Sequence, residues 1–278
     1  MSESGSLHRP SATPHPWART TIAAIITLVL LSPILVVFWL ALRAPVAWQQ
    51  AGPTLGTFWY VLTETKVLHW LGNSLLVSLI STVCSVLVAA PAGYVLSRGR
   101  GGATSAFSLF IFVLQSLPAV AFVIPLFIMF ANLGLADTLT GVSIVYVASS
   151  IAVGCWMMTA YFDTLPVTLE EAAWIDGASL FGGFVRIILP NSLPGILSTA
   201  LFAFLHSWND YLVASVFLRS ESAFTMPIGL QTFFQQNLAD WGPVMACAVI
   251  MLAPPVIVFA VLNRYFSIGG IGGSLAGR

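Results

Sequence analysis

Charge is what this sequence has least of. Only 7% of its 278 residues are Asp, Glu, Lys or Arg, ten basic and ten acidic, where a soluble globular chain carries about 25%. That is too little to cover a water-facing surface, which excludes a cytosolic enzyme and a disordered chain. A formal net charge of zero offers no basic footprint for nucleic acid. Lysine is nearly absent. Lys66 is the only one, and it sits in Thr65-Lys66-Val67 rather than in the Gly-Lys-Ser/Thr of a phosphate-binding loop, so the chain carries no Walker-type ATP site. The cysteines are Cys84, Cys155 and Cys247, each in a different apolar stretch. An odd, dispersed count gives neither a disulfide framework nor metal spacing and reads as small buried side chains. The nearest approach to a Gly-x-Ser-x-Gly elbow, Gly272-Gly273-Ser274-Leu275-Ala276, fails at its last position. No catalytic residue and no metal site are read, and the chain is not expected to be an enzyme.

Apolar sequence is what is plentiful: 58% of residues are hydrophobic and the mean hydropathy is +0.93. A membrane-crossing helix needs about 20 mostly apolar residues. Six stretches qualify, over 21–42, 73–96, 103–131, 139–162, 192–218 and 243–266. The predicted fold is an all-α polytopic membrane protein of one domain, 21–278, with six transmembrane helices. Residues 1–20, rich in Ser, Pro and His, read as a disordered tail. The uncharged run over 21–42 outlasts the roughly 7–15 residues of a signal peptide, so it is expected to stay. With the N-terminus inside, the inner segments hold Arg9, Arg19, Arg98, Arg100, Arg186, Arg264 and Arg278, against Arg43, Lys66 and Arg219 outside. That bias predicts both termini in the cytoplasm, along with the segment 163–191. No inverted repeat of the secondary-transporter kind is visible.

Within the second span, Ser81, Ser85, Ala89, Gly93 and Ser97 recur every four residues, a smooth stripe for close helix contact. In the third, Pro118 and Pro125 predict a kinked or broken helix. In the fifth, His206, Asn209 and Asp210 share one face. A charged Asp near a bilayer centre costs about 2.5–3.5 kcal/mol, so it should face protein or water. A proton relay, a structural cluster and a pathway lining stay open there, while a metal has too few ligands.

Between the fourth and fifth spans, Thr168 reads as an N-cap with Glu171 completing a capping box. Glu170 and Glu171 suit the positive helix end, and Gly177 is a stop. A second short helix is expected from about Ser179 to Leu189, ended by Pro190. This helix–turn–helix on the cytoplasmic face suits the docking of a partner, or is simply a helical connection.

Here a resemblance enters. Glu171-Ala172-Ala173, Gly177 six residues later, and Ile187-x-Leu189-Pro190 resemble the EAA signature of ABC-importer permeases. Leu165-Pro166, Leu169-Glu170, Trp174-Ile175-Asp176, Ser207-Trp208-Asn209-Asp210, Trp241-Gly242-Pro243, Asn73-Ser74-Leu75 and Asn263-Arg264-Tyr265-Phe266 look like the carbohydrate-uptake branch, the maltose, glycerol-phosphate and trehalose type. The resemblance covers about 70–278 and implies a type I importer permease fold in a bacterial cell membrane. It implies that Glu170, Glu171, Ala172, Ala173, Asp176 and Gly177, with Ile187, Leu189 and Pro190, couple to a cytoplasmic ATPase dimer. ATP and Mg would sit on that partner, and no cofactor on this chain. It further implies a second, different permease, an extracytoplasmic solute-binding protein near Gln231, Phe233 and Phe234, and a pathway past Trp208, Asn209 and Asp210. One departure is the tail from Gly269 to Arg278, which lacks lysine and has Ser274 where glycine is usual. A secondary transporter or channel without an ATPase is the alternative.

Overall fold

The computed structural model describes residues 16–48, 52–234 and 240–275, and the statements on structure concern these. The expected disordered segment lies mostly outside them, at 1–15. Residues from Pro16 onward already belong to a helix, so 16–20 are helical rather than disordered.

Hydrocarbon offers backbone groups no hydrogen-bond partner, so an apolar run must satisfy them within its own helix. The described residues are accordingly helical, with one isolated bridge between Arg43 and Pro53. In order the helices are α1 (Pro16–Ala41), α2 (Gly56–Thr63), α3 (Val67–Arg98), α4 (Gly102–Ser116), α5 (Ala119–Asn132) and α6 (Leu139–Phe162). They continue with α7 (Thr168–Ile175), α8 (Leu180–Asn191), α9 (Leu193–Asn209), α10 (Leu212–Phe217), α11 (Met226–Thr232) and α12 (Trp241–Leu275). Four of them, α1, α3, α6 and α12, are long and apolar enough to cross a membrane, and two bent pairs bring the number to six.

The centre is α3 against α6, with α9 as the third member, while α1 leans on α12 at the periphery. Ser81, Ser85, Ala89 and Gly93 are all buried on α3. A Cβ on Gly93 would lie 2.6 Å from the Met158 Cβ and 3.0 Å from the Cys155 carbonyl oxygen. From α6, a Cβ on Gly154 would come within 3.0 Å of the Ala89 Cβ. The two backbones therefore touch along the stripe. Cys155 and Cys247 are buried and Cys84 is exposed, so the expectation of burial holds for two of the three.

Two predicted spans are interrupted. The third turns by 97° between α4 and α5, at Leu117-Pro118, where proline lacks the N–H a continuing helix needs. Pro125, by contrast, sits inside α5. The fifth stops at Asp210, whose extended backbone ends α9. Its carboxylate Oδ1 then accepts from the Val213 amide at 2.9 Å and the Ala214 amide at 3.3 Å, capping α10 and offering the chain an alternative to helix.

On the side away from α7, the start of α3 is tied to the segment after α10. The Asn73 amide donates to the Ser222 and Phe224 carbonyls at 3.0 and 2.9 Å, and the Ser74 hydroxyl accepts from the Met226 amide at 2.8 Å. Asp137, with φ at 56°, accepts from the amides of Arg219 and Ser220 at 2.7 and 2.9 Å and from the Ser220 hydroxyl. Burial opposes its charge, yet those hydrogen bonds and the Arg219 charge hold the carboxyl below its ordinary value. A lowered folded pKa means this tether is complete above the ordinary carboxylate pKa and is lost as pH falls through the lowered one.

Two outcomes follow from this packing. Gly93→Ala forces backbone apart and should cost about 1–3 kcal/mol in thermal unfolding of the detergent-solubilised protein. Gly72→Ala in the same helix, where a Cβ meets nothing within 4 Å, should be stabilising by about 0.5–1 kcal/mol. Equal effects would mean that the α3–α6 contact is looser than described. For the tether, Asp137→Asn should lower the hydrogen-exchange protection factors of the Arg219 and Ser220 amides at neutral pH. In the parent protein those factors, taken relative to the intrinsic rate at each pH, should fall only in acid.

Candidate coupling site

The segment between α6 and α9 is a short helix, a tight turn and a second helix. Its first helix begins differently from the expectation. Val167, in helical conformation, occupies the cap position and no side chain caps the end. Thr168 is already helical, so the capping box does not form. Instead the Leu169 amide reaches the Pro166 carbonyl at 3.2 Å, and the Glu170 and Glu171 amides reach that of Val167 at 2.9 and 3.1 Å. The far end is the expected stop. Gly177 has φ at 86°, its amide donates to the Trp174 carbonyl at 3.0 Å, and the Ala178 amide donates to Ala173 at 2.9 Å, a Schellman closure. A Cβ there would meet nothing within 4 Å, so the dihedral rather than space requires glycine.

Ser179 then caps α8 through its hydroxyl, which accepts from the Gly182 amide at 3.1 Å. Helix α8 contains a π-turn over Phe184–Ile188. It runs through Pro190 to Asn191, two residues past the expected end, before a 76° bend into α9.

The predicted coupling residues divide between two faces. Glu171, Ala172, Asp176 and Gly177 are exposed, as is Pro190. Glu170 and Ala173 are buried. Ile187 and Leu189 are half-buried against a core that includes Cys155, Met158, Phe162, Phe184 and Ile188. Three residues that sequence reasoning passed over complete the outer face: Ile175 at 86% exposure, Leu180 at 68% and Phe181 at 76%. Their signal was available, since apolar side chains flank a turn whose glycine projects them from the body.

Glu170 faces inward. Its Oε1 accepts from the Arg98 Nε at 2.7 Å and its Oε2 from the Tyr94 hydroxyl at 2.6 Å. Arg98 also donates to the Leu165 carbonyl at 3.1 Å. Between the end of α3 and this segment lies an open cavity of about 960 Å³, lined by Arg98, Arg100, Glu171, Trp174 and Phe181 among others.

Of the expected pathway residues, Trp208 is buried with its ring stacked on Phe204 at 5.5 Å. Asp210 caps α10 and accepts from the Tyr146 hydroxyl at 2.9 Å. Asn209 is exposed, its amide donating to the Leu205 carbonyl at 3.0 Å. One turn back, His206 Nε2 lies 2.9 Å from the Ser149 hydroxyl and its ring stacks on Phe202. At the other end of the molecule, Gln231 and Phe234 are exposed, while Phe233 packs edge-on against Trp70 at 6.1 Å. Gln235, Gln236 and Arg278 lie outside the described residues. Among the described residues no group of three or more His, Cys, Asp or Glu side chains could hold a metal ion.

Known proteins bear on this geometry. The family described as binding-protein-dependent transport system inner membrane component matches residues 86–267. The chain is 31% identical over 225 residues to a maltodextrin transport system permease protein of Bacillus subtilis, covering 81% of each. It is 33% identical over 229 residues to a trehalose/maltose transport system permease protein of Thermococcus litoralis, covering 81% of this chain and 82% of that one. A crystal structure of a bacterial ABC transporter involved in import of the acidic polysaccharide alginate matches the fold with a TM-score of 0.75 at 22% identity, over 93% of this chain and 100% of that one. The chain thus belongs to the family of inner membrane components of binding-protein-dependent transport systems.

Proposed function

We propose that this chain is one of two membrane-spanning subunits of an importer for a carbohydrate or related polyol, driven by a separate ATPase dimer. The observation that carries the reading is the outer face of the α7–α8 turn. Ile175, Leu180 and Phe181 project from a capped, glycine-closed turn that is anchored below by Glu170. An apolar patch so rigidly presented is suited to an interface, and this chain has no ATP site with which to power itself. The sugar-transport relatives support the solute class. The companion permease is expected to be a different chain, and the family description implies an extracytoplasmic binding protein, for which Gln231 and Phe234 offer exposed amide and aromatic contacts.

The Arg and Lys distribution supports a cytoplasmic location for both termini and for the α7–α8 turn. The chain acts as a mechanical part and not as an enzyme. ATP and Mg sit on the partner, whose closure moves the docked turn and reorients the spans around a central site. Along that route, Asn209 and the His206–Ser149 pair present hydrogen-bonding groups from mid-span without burying them, as a sugar's hydroxyls require. Asp210 shapes the span by capping α10, and Trp208 is part of the packing.

The docking reading is tested by the paired substitution Ile175→Asp and Phe181→Asp. Losing two apolar anchors should cost about 3 kcal/mol or more, at least about a hundredfold in affinity. The variant should reach the membrane but no longer retain an ATPase in mild detergent, and retention equal to the parent's would overturn the assignment. For the pathway, Asn209→Ala should raise the half-saturating concentration for whichever of maltose, maltodextrin, trehalose or glycerol phosphate the assembled importer takes up. An unchanged value would remove Asn209 from the route.

A further inference from the structure

We infer that Tyr94, Arg98 and Glu170 form an intrachain lock that makes α3 travel with the α7–α8 turn, so that they are positioning residues of the coupling and not contacts to the ATPase. The inference rests on the importer reading above and concerns what happens to a displacement once the turn has received it.

The chain itself connects the turn to α6 on one side and, through α8, to α9 on the other. Helix α3 has no such connection, since it runs from Arg98 into a short loop and α4. Yet α3 is the helix against which both α6 and α9 pack, so rocking of the central spans requires it to follow. The link is supplied by side chains. Glu170 is 1% exposed, and both of its oxygens are engaged, by the Arg98 Nε at 2.7 Å and the Tyr94 hydroxyl at 2.6 Å. The same guanidinium holds the Leu165 carbonyl at 3.1 Å, so one side chain of α3 grips the chain both before α7 and within it. Ser97 adds a hydrogen bond to Asp163 at the end of α6. The Tyr94 ring packs on Phe162 of α6 at 5.8 Å and on Phe184 of α8 at 4.7 Å, which prevents the helix end from pivoting about the ion pair.

A buried ion pair is a poor source of net stability compared with apolar packing. What it does supply is a short, directional, charge-assisted connection of defined geometry. Glu170 and its neighbour Glu171 thus have opposite duties. Glu171 points outward with the docking face, while Glu170 points inward to α3.

The experiment measures the distance between spin labels on α3 and on α7 in the assembled complex with its ATPase, in nanodiscs. Native Cys84 on α3 is exposed while Cys155 and Cys247 are buried, so Cys84 takes one label and Thr168→Cys, exposed at the start of α7, takes the other. Distances are recorded without nucleotide and with Mg-ATP trapped by vanadate. With the lock intact, the two states should give the same distance. In Glu170→Gln, trapping should shift it by about one helical turn, roughly 5 Å, and the swap Arg98→Glu with Glu170→Arg should bring the shift back towards zero. Tyr94→Phe, which removes a single hydroxyl, should give a smaller shift and stands in if Glu170→Gln fails to accumulate.

A nucleotide-dependent shift already present in the parent, or none in the variants, overturns the lock. So does loss of the ATPase from Glu170→Gln, which would make Glu170 a docking contact. A parent chain that brings down no ATPase at all would instead sink the importer reading, before any distance is measured.

Discussion

A backbone immersed in hydrocarbon has no solvent to satisfy it, and that constraint governs the rest of this structure. It makes every long apolar run a helix and makes every interruption a local problem with a local solution. At Leu117-Pro118 the interruption comes from a residue that has no N–H to satisfy. At Asp210 it comes from a carboxylate that supplies the missing acceptor to the Val213 and Ala214 amides. The second solution places a carboxyl group where an unpartnered polar group is expensive, and the Tyr146 hydroxyl donates to it from α6 at 2.9 Å. Polar residues inside the spans therefore serve the backbone first. Asn209 and His206 are left exposed on the same span, and the proposed pathway uses them because Asp210 is already committed to the backbone.

The same constraint explains which parts of the fold were legible in the sequence. The apolar stretches could be counted in the sequence, and the fourth, 139–162, coincides with α6, whereas the third and fifth are broken in the structure at Leu117-Pro118 and at Asp210. The small-residue stripe on α3 was legible as well, because close approach demands small side chains whatever the partner. The family signature placed the coupling segment and its stop at Gly177, where a left-handed dihedral leaves little choice of residue. The break at Asp210 was hidden. Its cause is a side chain accepting from amides three and four residues ahead, which in composition looks like one more polar residue on an apolar face.

The N-terminal end of α7 was misread for a related reason. Thr168 and Glu171 have the spacing of a capping box, but Val167 already adopts helical dihedrals, so the helix starts one residue earlier than the motif assumes. Propensity and spacing describe what an isolated segment would do. Here Glu170 is pulled inward by Arg98 and Tyr94, and that tertiary demand fixes the rotation of the helix. No local pattern reports it, because Arg98 is 72 residues distant.

The rotation also decides how the signature residues divide. Successive helical residues point about 100° apart, so of two adjacent glutamates only one can face a partner. With Glu170 turned to α3, Glu171, Ala172, Ile175 and Asp176 are turned out, and the Gly177 closure then carries Leu180 and Phe181 onto the same side. An apolar tip in such a position would be a liability on a freely tumbling loop, because it could stick wherever it landed. Held by a buried ion pair, a Schellman turn and a packed aromatic cluster, it is presented in one orientation. On the importer reading, such a tip would lose little conformational entropy on docking, and a push on it would be passed to the spans as displacement of the whole segment.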